Sequence, residues 1–316
     1  MTVQQRMESP ADHELTAEGI TYMRIYRRIF IVAFVLMIII FGIFFLKEKS
    51  KQDDTYPVIT IDNYELEVSL TPSDEELKQG VTALDAKDGD LTDRVVVESI
   101  SRFAGKGISN VTYAVVDSNN NVASATRKIV YKDYVSPRFT LKRPLLFSVA
   151  EAAKTKISDV VGAIDCMEGD ISNRVIVNSN DFNSTQEGIY YVSLQVSNTK
   201  GDTIYADVPV EIANIKTNDP VITLSDYLIY LNTGDRFDPY DYVVSAETYD
   251  GISLTEGDGP EDDGHFIAKV RADSYVKTRE PGVYYADYSV KDQEDRTGRS
   301  RLVVIVEEAA GEVDEQ

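Results

Sequence analysis

The sequence predicts an all-β fold, a row of three tandem β-sandwiches preceded by a single transmembrane α-helix. Three observations carry that expectation: an uninterrupted apolar run at 29–46, a unit that recurs at offsets of 80 and 83 residues, and two-residue alternation inside each unit.

The apolar run, IFIVAFVLMIIIFGIFFL, has eighteen residues with no charge and no side chain more polar than methionine. As a helix it would be about 27 Å long, close to the thickness of a bilayer core. A helix apolar on every face has no side to turn to water, so a soluble domain is a poor home for it. Arg24, Arg27 and Arg28 precede the run and Lys47, Lys49 and Lys51 follow it, so flanking charge leaves its orientation nearly balanced. The run is longer than the core of a signal peptide, and FFLKEK at its end lacks a small-x-small cleavage pattern. An uncleaved anchor is expected. Residues 1–28, poor in apolar side chains before Ile20, are expected to form a cytoplasmic tail, and 47–56 a linker.

Each later unit opens on a proline before a short β-branched stretch: PVITI from Pro57, PRFTL from Pro137 and PVITL from Pro220. Proline removes a ladder donor, which suits a strand entrance and a domain boundary. The units also close alike. Gly107, Gly188 and Gly282 are followed six residues on by Tyr113, Leu194 and Tyr288, and four further on by Asp117, Asn198 and Asp292. Val111, Tyr113 and Val115 can share one face, as can Tyr190, Val192, Leu194 and Val196, or Tyr284, Ala286, Tyr288 and Val290, the period of a strand. Turn-forming stretches at 118–121, 198–202 and 292–298 then predict a hairpin into a last β-branched strand. The first two units share DAKDGDLTDRVVV from Asp85 and DCMEGDISNRVIV from Asp165, offset by 80 residues throughout. The third carries instead an Asp- and Gly-rich insertion between Tyr249 and Gly264. The expected domains are 57–132, 136–213 and a divergent 219–308, with an acidic tail at 309–316. Linkers at 132–136 and 213–219 are too short for independent tumbling, so a semi-rigid rod is expected.

The leading proline, the D-x-x-D/E-G-D-h-T/S-x-x-V segment and the G-x5-Y-x-V-x-D strand with its turn resemble bacterial immunoglobulin-like domains. These occur in tandem on surface proteins, and one version was first described in a pesticidal crystal protein. The resemblance covers about 57–308, closely in the first unit, well in the second and loosely in the third. It implies Ig-like β-sandwiches of seven strands, roughly 75–90 residues each. It implies a spacer, an adhesion module or a ligand-binding stalk, and no reaction.

Composition narrows the function. The chain holds 53 acidic and 32 basic residues, a formal charge of −21, which opposes any sequence-independent grip on nucleic acid. Cys166 is the only cysteine, so no intrachain disulfide exists. His13 and His265 are the only histidines, which leaves zinc sites and Ser-His or Cys-His nucleophile systems without their parts. A glycosidase-like carboxylate pair is not excluded by counting, but the acids recur at equivalent turn positions, which points to architecture. The expectation is no enzyme and no required cofactor.

Two candidate sites remain. Asp85, Asp88, Asp90 and Asp93 place four carboxylates within nine residues, and a hard cation such as Ca²⁺ takes oxygen ligands of this kind. The alternative is a turn that needs Asp and Gly and no metal, since the second unit keeps only Asp165, Glu168 and Asp170 and has Asn173 in the fourth place. The acidic stretch 256–263 reads as a solvated loop, with a cation loop or partner-binding tip as the alternative. Nineteen tyrosines and no tryptophan make Tyr227, Tyr230, Tyr240 and Tyr242 the candidate ligand-binding face.

The expected function is a non-catalytic bacterial cell-surface protein of the plasma membrane, N-terminus cytoplasmic and sandwiches extracellular. It would be held in the lipid bilayer through 29–46 and would present its domains for adhesion, or for binding a cell-wall or host glycan or protein. The alternatives are a structural spacer or scaffold of an envelope complex and, behind it, a surface hydrolase. The last residues, EEAAGEVDEQ, show no wall-sorting pattern, so the N-terminal helix is the expected anchor.

Overall fold

The computed structural model describes residues 17–49, 55–178, 185–254 and 270–308. Strands in several sheets dominate, with one apolar helix at the N-terminal end, the architecture of tandem all-β sandwiches preceded by a helix. By contact, Met1–Thr60, Thr82–Val95 and Ala114–Ser124 form one compact unit, and Ile61–Val81, Val96–Tyr113 and Ala125–Gln316 form the other.

The helix covers Ala17–Lys49, 33 residues, or about 50 Å at 1.5 Å per residue. It starts well before the apolar run because no proline between Ala17 and Ile29 interrupts it. Its stretch Tyr22–Lys47 is long and apolar enough to cross a membrane, with a mean hydropathy of 3.3. Apolar side chains face outward all round it, among them Phe30, Ile40 and Leu46.

Each repeat contributes a small sheet and a four-stranded one. In the first, Val58–Ile61, Val81–Asp85 and Gly89–Asp90 form one sheet, and Glu65–Val68, Val122–Tyr131, Ile108–Val116 and Val96–Ile100 follow in order across the other. The second repeats this with Gly169–Asp170, Val161–Asp165 and Arg138–Leu141, and with Ile176–Asn178, Gly188–Ser197, Thr203–Ala213 and Leu146–Ser148. The third pairs Val221–Leu224 with Val243–Glu247, and orders Leu228–Asn232, Thr297–Glu307, Gly282–Lys291 and Arg271–Ser274.

The predicted hairpin is the centre of each larger sheet. A short strand lies parallel to its last strand, with Leu66 opposite Ile129, Phe147 opposite Ile212 and Ile229 opposite Val304. This covers an edge that would otherwise expose a ladder of unpaired backbone groups. The alternation is the predicted one. Val111, Tyr113, Val115, Val192, Leu194, Val196, Ala286, Tyr288 and Val290 are each at most 1 % exposed.

The second repeat's core, with Phe139, Phe147, Val192 and Ile212, continues into Leu228 and Val303 of the third. Around this apolar joint lies a charge network. Arg301 meets Glu211 and Asp287, Arg299 meets Glu211 at 2.8 Å, and Arg138 meets Glu307 at 2.9 Å while lying 4.7 Å over the Tyr230 ring. The second and third repeats therefore share both a core and one buried ion pair, Arg301 with Glu211.

Candidate functional site

The shared D-x-x-D/E-G-D segment is a turn built by its own carboxylates. Asp85 Oδ1 accepts from the N–H groups of Lys87 and Asp88, both at 2.8 Å, and Asp165 Oδ1 accepts from Met167 and Glu168, both at 2.9 Å. Gly89 and Gly169 follow at φ 76° and 75°, a left-handed conformation that glycine adopts without a Cβ clash. Asp90 and Asp170 then cap the next turn, each accepting from the N–H two residues on at 2.9 Å. Thr92 and Ser172 tie this turn to the strand before it, their hydroxyls accepting from Ala83 N at 3.1 Å and Ala163 N at 3.0 Å.

The fourth position of the motif reaches across to the hairpin. Asp88 accepts from Ser118 N at 2.6 Å and Ser118 Oγ at 2.8 Å, and Glu168 accepts from Thr199 N at 2.6 Å and Thr199 Oγ1 at 2.8 Å. The Ser118 N–H, and then its hydroxyl, hold Asp88 below the usual carboxylate range. Burial pushes Glu168 up, but hydrogen bonds from Arg174 and Thr199 outweigh it and the carboxyl ends below its ordinary value. Asp93 is exposed in the 3-10 turn Thr92–Arg94. The four acids singled out in sequence thus do not share a centre. Asp85 and Asp90 turn back on their own loop and Asp88 is engaged by Ser118. Among the described residues, no three or more His, Cys, Asp or Glu side chains are grouped to hold a metal ion. The acidic stretch 256–263 lies outside the described residues.

Nor do the four tyrosines form one exposed face. Tyr227 and Tyr242 pack against the third repeat's core, Tyr242 stacked on Phe237 at 5.8 Å between centroids. The Tyr230 hydroxyl accepts from Phe139 N at 2.7 Å, and burial raises its phenol far above the ordinary value. Tyr240 alone of the four is exposed, its hydroxyl accepting from Ala272 N at 3.3 Å. Nearness along the chain groups these rings; the third repeat's core, which takes Tyr227 and Tyr242, and the joint with the second repeat, which takes Tyr230, separate them.

The most exposed tyrosines of the sandwiches' hairpins lie in the second repeat. Tyr191 is 60 % and Tyr205 72 % exposed. The register Ser193↔Asp207 and Gln195↔Tyr205 places Tyr191, Ser193, Gln195, Tyr205 and Asp207 on one outer face. Ser193 Oγ donates to Asp207 Oδ1 at 2.5 Å between the two rings. Tyr191, Tyr205, Ala206, Asp207 and Val283 line an open groove of about 490 Å³. Beyond it, Tyr275 is 56 % exposed and lies 4.9 Å from Tyr285 between ring centroids. The signal was present in the sequence: once Val192, Leu194 and Val196 face inward, Tyr191, Ser193 and Gln195 must face out.

No protein-family model matches the chain. It is 28% identical over 130 residues to the pesticidal crystal protein Cry22Aa of Bacillus thuringiensis, covering 41% of this chain and 16% of that protein. It is 24% identical over 157 residues to an uncharacterized 81.3 kDa protein of Acholeplasma phage L2, covering 48% of this chain and 19% of that one. The chain therefore spans less than a fifth of either relative's length. Among solved structures, the CBM51-2 and INT domains of Clostridium perfringens ZmpB, in complex with GlcNAc, share 19% identity over 53% of this chain and 31% of that one, at a TM-score of 0.20. A superposition of that quality bears on neither ligand nor activity.

Proposed function

We propose that the chain is a non-catalytic, membrane-anchored protein of the bacterial surface whose tandem Ig-like domains bind carbohydrate. The observation behind this reading is the outer face of the second repeat. Two exposed tyrosine rings flank a carboxylate and a hydroxyl, beside an open groove. Pyranose rings present apolar CH faces that lie flat on aromatic rings, and hydroxyls that donate to carboxylates; a tyrosine face with an Asp–Ser pair offers both. The apolar helix is the anchor in this reading, with the sandwiches outside the cell.

The test is binding of the full chain, in phosphatidylcholine nanodiscs, to arrayed cell-wall and host glycans. The reading requires that Tyr191→Ala and Tyr205→Ala together abolish a signal seen with the unaltered chain. Protease shaving of intact cells tests the orientation: sandwiches that survive shaving without permeabilisation would place them inside.

A second reading, a spacer of an envelope complex, is favoured by the joint between the second and third repeats. A fully buried Arg301 paired with Glu211 resists bending there. In-frame removal of one repeat separates the two, because a spacer depends on length and a glycan binder does not.

A further inference from the structure

The turn that closes each hairpin is built the same way three times, and only the treatment of its charge differs. Asp117 Oδ1 accepts from Asn119 N at 2.8 Å and Asn121 N at 2.7 Å. Asn198 Oδ1 accepts from Asp202 N at 2.9 Å, and Asp292 Oδ1 accepts from Glu294 N and Arg296 N, both at 2.9 Å. In the third repeat the chain supplies its own cation, since Arg296 Nε reaches Asp292 Oδ2 at 2.6 Å. In the second the position is a neutral amide, and Asn198 Nδ2 donates to Asp165 Oδ2 at 3.0 Å. Both oxygens of Asp165 are thereby met.

The first repeat has neither a cation at the place of Arg296 nor an amide at the place of Asn198: Asn121, four residues after Asp117, donates its side-chain amide to Asp117 Oδ2 at 2.8 Å and leaves the charge in place. Asp117 takes the place of Asn198 and has no N–H to give to Asp85, the counterpart of Asp165. Asp85 is 7 % exposed, and its Oδ2 is buried with no hydrogen-bond partner among the described residues. Native interiors rarely leave such an oxygen unmet, because it has lost its water and gained nothing. Asp117 has capacity to spare: a carboxylate offers about four acceptor sites, and among the described residues Asn119 N, Asn121 N and Asn121 Nδ2 are its donors.

We propose that a hard divalent cation, Ca²⁺, binds between Asp85 and Asp117 in the first repeat, doing there what the Asn198 amide does in the second and the Arg296 guanidinium in the third. Two carboxylates are fewer than a calcium cage supplies, so carbonyls and waters complete the shell. Affinity then falls in the roughly 10⁻⁴–10⁻³ M range of extracellular modules. Occupancy in the cell rests on the outward placement proposed above; binding to the purified protein does not.

The test uses the full chain in phosphatidylcholine nanodiscs, stripped with EGTA. Equilibrium dialysis with ⁴⁵Ca²⁺ is expected to give one ion per chain with a Kd of about 0.1–1 mM, and about 10 mM Ca²⁺ is expected to raise the unfolding midpoint. Asp117→Asn recreates the second repeat's arrangement. It should abolish binding and raise the midpoint in EGTA, whereas Asp165→Asn should leave the stoichiometry at one. Absence of saturable binding to the unaltered chain overturns the proposal. So does unchanged binding by Asp117→Asn, or a lower EGTA midpoint in that variant.

Discussion

Arg301 donates from Nη2 to the Glu211 carboxylate at 2.6 Å, tying the last strand of the third repeat to the last strand of the second. The same guanidinium holds Asp287 through Nε at 2.6 Å and Nη2 at 3.0 Å, and lies 4.3 Å over the Tyr285 ring. Two carboxylates around one buried cation offset its desolvation; taking the cation away leaves Asp287 without its cation and Glu211 with Arg299 alone. Arg301→Met is therefore expected to cost about 3–5 kcal/mol. Arg299→Ala should cost under about 1 kcal/mol, because its contact with Glu211 is partly exposed. Urea unfolding of the two variants checks this, and equal midpoints would reject it.

Tyr288 donates its hydroxyl to the carbonyl of Pro239 at 2.7 Å, at the start of the 3-10 turn Pro239–Tyr242. Burial raises this phenol well above its ordinary value, so it remains a donor throughout the working pH range. Phenylalanine would keep the packing and leave the carbonyl without its donor. Tyr288→Phe is expected to lower stability by about 1–2 kcal/mol, read from thermal unfolding.

The hairpins and their closing turns are legible in the amino-acid pattern alone, because Tyr113, Leu194 and Tyr288 are all buried and Asp117, Asn198 and Asp292 all begin the same turn. What the pattern hides depends on partners far along the chain. Asp88 pairs with Ser118, and Glu211 with Arg301, and no local pattern joins positions so distant. Arg127 sits on a strand where a charge reads as solvent-facing. It is 1 % exposed because the carbonyls of Leu77 and Gln79 and the Tyr113 hydroxyl all accept from it. The parallel pairing of the short strands is hidden as well, since strands of three to five residues carry too little alternation to reveal their neighbour. Tyr227, Tyr230, Tyr240 and Tyr242 mislead in the opposite way, being close in sequence while Tyr227 and Tyr242 pack on the third repeat's core, Tyr230 meets the second repeat and Tyr240 stays exposed.

A Cβ on Gly298 would stand 2.2 Å from the backbone oxygen of Pro220, which cannot rotate away. The strand Thr297–Glu307 must shift or the third repeat's entrance must open, so Gly298→Ala is expected to cost about 3 kcal/mol or more. Gly89→Ala meets no atom of the described residues within 4 Å and suffers from its φ of 76°, a penalty of about 1–2 kcal/mol. Denaturant midpoints that rank the two the other way would contradict this.

The acid limb follows from the turn carboxylates. Asp88, Asp170 and Asp292 are all held below the ordinary value of 3.8, Asp88 first by the Ser118 N–H, Asp170 first by the Ser172 hydroxyl. In Asp292 burial acts the other way and is outweighed by the Arg296 hydrogen bond. A carboxyl depressed on folding adds stability that is complete above its unfolded pKa and is lost as pH falls through the folded one. These turns should therefore add a constant amount above about pH 5 and loosen progressively below about pH 4. Ser118→Ala removes one donor to Asp88 and should shrink that loss. Urea midpoints measured between pH 7 and pH 2.5 test the direction.

Tyr191 and Tyr205 carry no part of the core, since both rings stand on the outer face of a sheet whose inner face holds Val192, Leu194, Ala206 and Val208. Replacing both by alanine removes exposed surface and opens no cavity. The double variant should thus unfold within about 0.5 kcal/mol of the unaltered chain per site, apart from a small cost in strand propensity. A binding loss in that variant would then report on the face itself. Had the rings been structural, the same substitution would lower the unfolding midpoint together with binding, so thermal unfolding and glycan binding measured on one preparation separate the two roles.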